Sequence, residues 1–152
     1  MGNTRILHCG KLIENYYICI NEKIAGFSQR FREGGKGDTI YLAVKIGKKS
    51  LCGARGILDE FTDNKPWNDS DKYIQCFKVK DLEFCKPFDI SILREVGGKS
   101  WGAKYLQGSK AIKENEAVKL LNNKFMKNIT NEVYMFSDDN DIIIEEDIQN
   151  NE

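Results

Sequence analysis

Thr39-Ile40-Tyr41-Leu42-Ala43-Val44-Lys45-Ile46, then Gly47-Lys48-Lys49, then residues 50–61 (SLCGARGILDEF), form the stretch from which the architecture is read. A run rich in β-branched and aromatic side chains meets a glycine and two lysines, which suit a tight exposed turn, and a second apolar stretch runs back. The pair predicts a β-hairpin. Downstream, residues 73–80 alternate Tyr73, Gln75, Phe77 and Val79 against Ile74, Cys76, Lys78 and Lys80, as a mostly buried strand does; residues 81–84 continue or bend it, and Pro87 breaks it. Upstream, Tyr16-Tyr17-Ile18-Cys19-Ile20 has strand composition. Residues 24–33, with Phe27 and Phe31 four apart, fit one or two helical turns before the breaker Gly34-Gly35-Lys36-Gly37-Asp38. Residues 61–72 read as a polar loop holding Trp67, and residues 97–113 as a long Gly- and Lys-rich loop around Trp101 with a short strand at its end. Residues 115–125 space Val118, Leu121 and Phe125, with Ala117 and Leu120 alongside, as an amphipathic helix of three turns. Several short strands with little helix predict an α+β fold, a small mixed β-barrel with short flanking helices.

A chain of 152 residues suits one domain. The expected division is an N-terminal extension over 1–13, a domain over 14–136, and an acidic disordered tail or linker over 137–152. The formal net charge of zero conceals an asymmetry: residues 138–152 hold seven acids and no base, so the first 137 residues set 23 bases against 16 acids and carry +7. A basic body permits a polyanionic partner that the whole-chain sum would exclude. No apolar run approaches membrane-spanning length and the N-terminus lacks a signal-peptide core, which predicts a soluble, cytoplasmic chain with no membrane partner. The five cysteines contain no Cys-x-x-Cys pair and sit largely in apolar runs; they are expected reduced and buried. With a single histidine, no metal and no cofactor are expected.

Four pieces, in this order, resemble an EVE domain, a member of the PUA-like superfamily that also contains the YTH readers of methylated RNA. They are the run over residues 16–20; Ala25-Gly26-Phe27-Ser28-Gln29-Arg30; Lys36-Gly37-Asp38 leading into the hairpin; and Tyr105-Leu106-Gln107-Gly108-Ser109-Lys110-Ala111-Ile112 followed by a helix. The resemblance spans residues 14–125 and implies a PUA-like barrel that holds one base of a nucleic acid, flipped from its stack, between aromatic walls without chemistry on it. Its partner would be a nucleic acid carrying a modified base, and such domains also serve as reading heads of restriction or RNA-modification systems. A flipped base must regain its lost stacking, and aromatic faces return ~1–3 kcal/mol each.

Phe27-Ser28 stands where YTH-type readers place a cage aromatic and a serine, so Phe27 is either a pocket wall or plain core. Trp67, between Pro66 and Asn68, is a pocket wall or a loop anchor. Trp101, among Gly98, Lys99, Ser100 and Gly102, combines a stacking surface, cations and small residues, and is taken as a ligand contact. Two departures stand out: Cys76 occupies the position of a second cage tryptophan, and Gln107-Gly108-Ser109-Lys110 replaces an acidic residue near the closing strand. Gln107, Ser109 and Asn21 are therefore the polar candidates for reading the base edge. Arg30, Arg32 and Lys36, with Lys99, Lys104, Lys110 and Lys113, would form a phosphate-contacting rim.

Catalysis finds little support in the residues. His8 beside Cys9 makes a poor dyad, since neighbouring side chains diverge, and lies in a segment expected to be mobile. Gly34-Gly35-Lys36-Gly37 resembles a phosphate loop in composition only. The related ASCH branch contains amidohydrolases that use lysine and acidic residues, for which Lys104 with Glu60 or Glu83 is the nearest counterpart. A third alternative is an interaction module with a decayed pocket.

Overall fold

The computed structural model describes residues 2–136 and 142–144. In chain order the elements are β1 (Thr4–His8), α1 (Ile13–Glu22), β2 (Ile24–Phe27), β3 (Thr39–Ile46), β4 (Lys49–Phe61), β5 (Gln75–Asp89), α2 (Arg94–Gly97), α3 (Trp101–Tyr105), α4 (Asn115–Lys127), β6 (Ile129–Thr130), β7 (Tyr134–Phe136) and β8 (Ile142–Ile144). The fold is α+β: one sheet in the order β1-β3-β4-β5-β2, with β6 on β5, curls strongly into a half-barrel, while β7 and β8 form a separate pair. β1 runs parallel to β3, and the remaining neighbours in the large sheet are antiparallel. Among the described residues no helix is long and apolar enough to cross a membrane.

The hairpin stands as read, β3 pairing β4 from Thr39↔Ile57 to Ile46↔Lys49 with a bulge after Leu42. Glycines pack where strands crowd: a side chain at Gly56 would meet Val79 Cγ1 at 2.5 Å, and one at Gly53 would meet the Tyr16 hydroxyl at 2.8 Å. Other elements depart from the sequence reading. Residues 16–20 are not a strand; they belong to α1, whose buried residues Asn15, Tyr16, Cys19 and Ile20 repeat with the helical period. The helix ends at Lys23, in the left-handed conformation at φ 56°, and the chain enters β2 at the next residue. Residues 24–27 are thus strand rather than helical turns, paired with β5 at Ile24↔Lys78 through Phe27↔Gln75.

The segment expected as an N-terminal extension supplies β1, and Ile6 is wholly buried. Pro87 does not break β5, which continues to Asp89 through bulges opposite β4. Residues 97–113 form no strand; they hold the end of α2, a 3-10 turn, α3 and an irregular segment. Within the expected tail, Ile142–Ile144 pairs with β7, and the rest of residues 137–152 lies outside the described residues.

Two apolar clusters share the sheet. One, around Tyr16, Phe27, Leu42, Trp67 and Phe77, takes in the buried residues of α1; the other, around Ile6, Tyr41, Ile90, Leu93, Leu121 and Phe125, takes in those of α3 and α4. All five cysteines are unpaired thiols; Cys19, Cys52, Cys76 and Cys85 are buried as expected, whereas Cys9 is only partly so.

Candidate functional site

A half-barrel leaves its two edge strands unpaired on one side, so their remaining backbone donors and acceptors need other partners. In this molecule both edges, β1 and β2, border one cavity of about 310 Å³. Leu7, His8 and Cys9 approach it from the β1 side, Gly26 to Gln29 from the β2 side, Asn15 and Cys19 from α1, Trp67, Lys72 and Tyr73 from the polar loop, and Leu106 to Ser109 from the segment after α3. The volume sits at the lower end of the range for small-molecule pockets, about 300–1,000 Å³.

The walls are aromatic and tightly fixed. Trp67 is 3% exposed and packs against Tyr73, ring centroids 4.5 Å apart and tilted by 47°. Gly26 makes this possible, since a Cβ there would lie 2.8 Å from Trp67 Cη2. Phe27 is held edge-on by Phe31 at 4.7 Å, and Gly108 lies so close that a Cβ would stand 2.7 Å from Phe27 Cε1. Asn15 Nδ2 donates to the Tyr73 hydroxyl at 2.9 Å and, at longer range, to Asp69. Burial, and then the Asp69 charge, push the Tyr73 phenol far above its ordinary range, so it stays protonated.

A buried ion pair holds the pocket's far wall. Arg5 is fully buried, donates from Nε to Asp38 at 2.8 Å, and donates from its terminal nitrogens to the carbonyls of Gly108, Ser109 and Glu33. Asp38 also accepts from the backbone N–H groups of Asn3 and Gly35, each at 2.9 Å. The stretch that resembled a phosphate loop in composition is therefore the cover of this pair: Gly34 has φ +76°, and a side chain there would strike Asp38 Oδ2 at 2.5 Å.

The one lysine that lines the cavity, Lys72, is solvent-exposed and pairs with Asp69 at 2.7 Å. The Cys19 thiol is raised well above its ordinary range, first by its hydrogen bond with Cys9 and then by burial, and so remains neutral. His8, expected to be mobile, is fixed on β1. Its Nδ1 accepts from the Gly10 N–H at 3.1 Å, which places the ring proton on Nε2, the nitrogen 2.9 Å from Ser50 Oγ. Burial, and then Lys45, lower its pKa below the ordinary 6.5. The native state therefore disfavours the imidazolium: this contribution to stability is whole above the unfolded pKa and is lost as pH falls through it toward the folded value. Melting curves from about pH 7.5 to about pH 5.5 should show a fall in Tm that is shallower in His8→Gln; identical slopes would remove His8 as the cause.

Of the residues singled out from sequence, Phe27, Ser28, Trp67, Gln107 and Ser109 meet at this cavity, from three separate stretches of chain. Asn21 does not; it borders a shallow, open depression with Glu14, Tyr17 and Pro66. Trp101 does not either. It starts α3 and packs, partly buried, against the second cluster with Ile90 and Leu93, because the glycine-rich stretch coils into short helices rather than an open loop. Among the cations, Arg30 and Lys110 stand one residue beyond the pocket-lining Gln29 and Ser109, and both are exposed. Arg32 is exposed on the same segment as Arg30; Lys36 faces Glu60 at 3.8 Å and Lys113 pairs with Glu33. Lys99 and Lys104 accompany Trp101 on the short helices. Neither Glu60 nor Glu83 lines the cavity, Glu83 being paired with Arg55 at 2.9 Å. Among the described residues no group of histidine, cysteine and acidic side chains could hold a metal ion.

Sequence reading missed Asn15, Tyr73 and the part played by Arg5. A helical reading of residues 13–22 would have set Asn15 and Cys19 on one buried face, four residues apart. Comparison of the chain with protein-family models finds no match, and a search of the curated proteins finds none.

Proposed function

We propose that this chain is a non-catalytic reader of a modified nucleobase, an EVE-type domain of PUA-like architecture that takes one base, flipped out of a nucleic acid, into the cavity between β1 and β2. The observation that carries the reading is the convergence of Phe27, Ser28, Trp67, Gln107 and Ser109 on one neutral, aromatic-walled pocket. Among the described residues that line it, the one lysine, Lys72, is already paired with Asp69, whereas a neutral planar ring gains stacking on Trp67 and hydrogen bonds from the polar lining groups. Tyr73 packs on Trp67 and backs that wall, while the tryptophan that YTH-type readers carry at the position of Cys76 has no counterpart in the cavity. Arg30, Arg32 and Lys110 contact the flanking phosphates, so affinity falls as salt rises.

Fluorescence tests this. In a Trp101→Phe background the remaining tryptophan reports the pocket alone, and short DNA and RNA strands carrying methylated or hydroxymethylated cytosine, or methylated adenine, serve as the panel. At least one modified strand should quench the emission while its unmodified twin does not. Indifference to the whole panel at low salt would overturn the reading.

A further inference from the structure

Two thiols meet in the wall of the cavity. Cys9 follows β1, where its N–H donates to the Ala43 carbonyl at 2.8 Å and its carbonyl accepts from the Leu12 N–H at 3.1 Å. The chain turns at Gly10, with φ +61°, and enters α1, which sets Cys19 against the same cavity. Both residues pack into one apolar cluster, and the Cys19 thiol is hydrogen-bonded with the Cys9 sulfur, so the two sulfur atoms are neighbours. They differ in access: Cys9 is partly exposed, whereas Cys19 is 2% exposed. The Trp67 indole is set against the Cys19 sulfur, and its Nε1–H is the one buried side-chain nitrogen or oxygen among the described residues without a hydrogen-bond partner. A buried N–H left unmade is a standing cost to the folded state. A thiolate beside it, as a charged acceptor, would relieve that cost better than a thiol does.

We infer that Cys9 and Cys19 form an oxidative modification site, at which hydrogen peroxide entering the cavity oxidises Cys9 and Cys19 then closes a reversible disulfide between the end of β1 and α1. In the first step the Cys9 sulfur attacks one peroxide oxygen. An S–O bond forms, the O–O bond breaks, and the departing hydroxide takes the thiol proton and leaves as water, with Cys9 now a sulfenic acid. In the second step the Cys19 sulfur attacks that of Cys9. The S–S bond forms, the S–O bond breaks, and hydroxide leaves as a second water with the Cys19 proton. Two thiols and one peroxide thus give one disulfide and two waters. Burial and its hydrogen bond with Cys9 make Cys19 a poor first nucleophile, so the more accessible Cys9 meets the oxidant. The Trp67 N–H favours the Cys19 thiolate as it attacks. Closing to a bond of about 2 Å falls to Cys9, which borders open space in the cavity. The other two thiols that the sheet brings together, Cys52 and Cys85, are wholly buried and donate to backbone carbonyls at 3.6 Å, out of reach of the oxidant.

The test treats the reduced, folded protein with a small excess of hydrogen peroxide, blocks the remaining thiols by alkylation and maps the tryptic peptides by mass. Cleavage after Lys11 separates the two cysteines, so a disulfide joins residues 6–11 to residues 12–23. That linked pair should appear with the loss of two hydrogen atoms, and a thiol reductant should release it. In a Trp101→Phe background the emission of Trp67 should fall as the disulfide forms beside the ring and return on reduction. In Cys9→Ser, which alters the partly exposed partner, the linked peptide should be absent and the emission steady under the same peroxide. In Cys19→Ala, Cys9 should stop at the sulfenic acid and be trapped by a 1,3-dione. Oxidation of Cys9 in the wild-type chain without linkage to Cys19, a Cys52–Cys85 linkage in its place, or the same fall in emission in Cys9→Ser would overturn the inference. No strand is needed in these measurements, so their outcome stands apart from that of the reader assignment.

Discussion

Arg5→Ala is expected to cost about 3–5 kcal/mol of folding stability, the usual consequence of removing one partner from a buried ion pair. The side chain is fully buried, and its loss strands Asp38, itself 2% exposed, together with three backbone carbonyls. The damage reaches the candidate site as well, since Gly108 and Ser109, whose carbonyls Arg5 holds, line the cavity. Arg5→Lys should recover only part of the loss, because a single ammonium cannot serve Asp38, Glu33 and Ser109 in the directions that the guanidinium fork does. Denaturant unfolding of the three proteins checks this. A loss under about 1 kcal/mol, the scale of a surface pair, would show that the pair is solvated and does not clamp the sheet.

Trp67→Ala is expected to remove ~1–3 kcal/mol of affinity for the modified strand and to abolish discrimination against its unmodified twin. Trp101→Ala should leave that discrimination untouched and instead cost about 1–2 kcal/mol of stability, as truncation of a partly buried aromatic does. Paired binding and unfolding measurements on the two variants separate the roles. Loss of selectivity in Trp101→Ala with none in Trp67→Ala would place the base on α3 instead of in the cavity.

These contrasts show where the sequence was legible. The β3–β4 hairpin was readable because its alternation and its Gly-Lys-Lys turn are local signals, and α4 because its apolar residues repeat along one face. Residues 16–20 were misread because tyrosine and isoleucine favour strands, and only packing under the sheet imposes the helical period on them. Trp101 was misplaced for a related reason: glycines and lysines suggest an exposed loop, yet Gly97 serves close packing against Tyr105, whose ring a Cβ would meet at 2.6 Å. Phe27, Ser28, Gln107 and Ser109 were singled out through the resemblance and Trp67 as a tryptophan in a polar loop; that all five line one cavity shows only once the chain is folded. Arg5 was invisible, since an arginine in a short N-terminal stretch reads as solvated until β1 is paired with β3 and Asp38 is brought beside it.

The body's charge of +7 is consistent with a modest polyanion affinity. On the proposed reading, selectivity comes from the uncharged pocket, and the two respond differently to salt. Equilibrium affinities for a matched pair of strands, alike except for the one modified base selected from the panel, should therefore be measured across a range of salt concentrations. The account predicts that both affinities fall as salt rises while their ratio stays near tenfold or above; a ratio close to one at every salt concentration would contradict it.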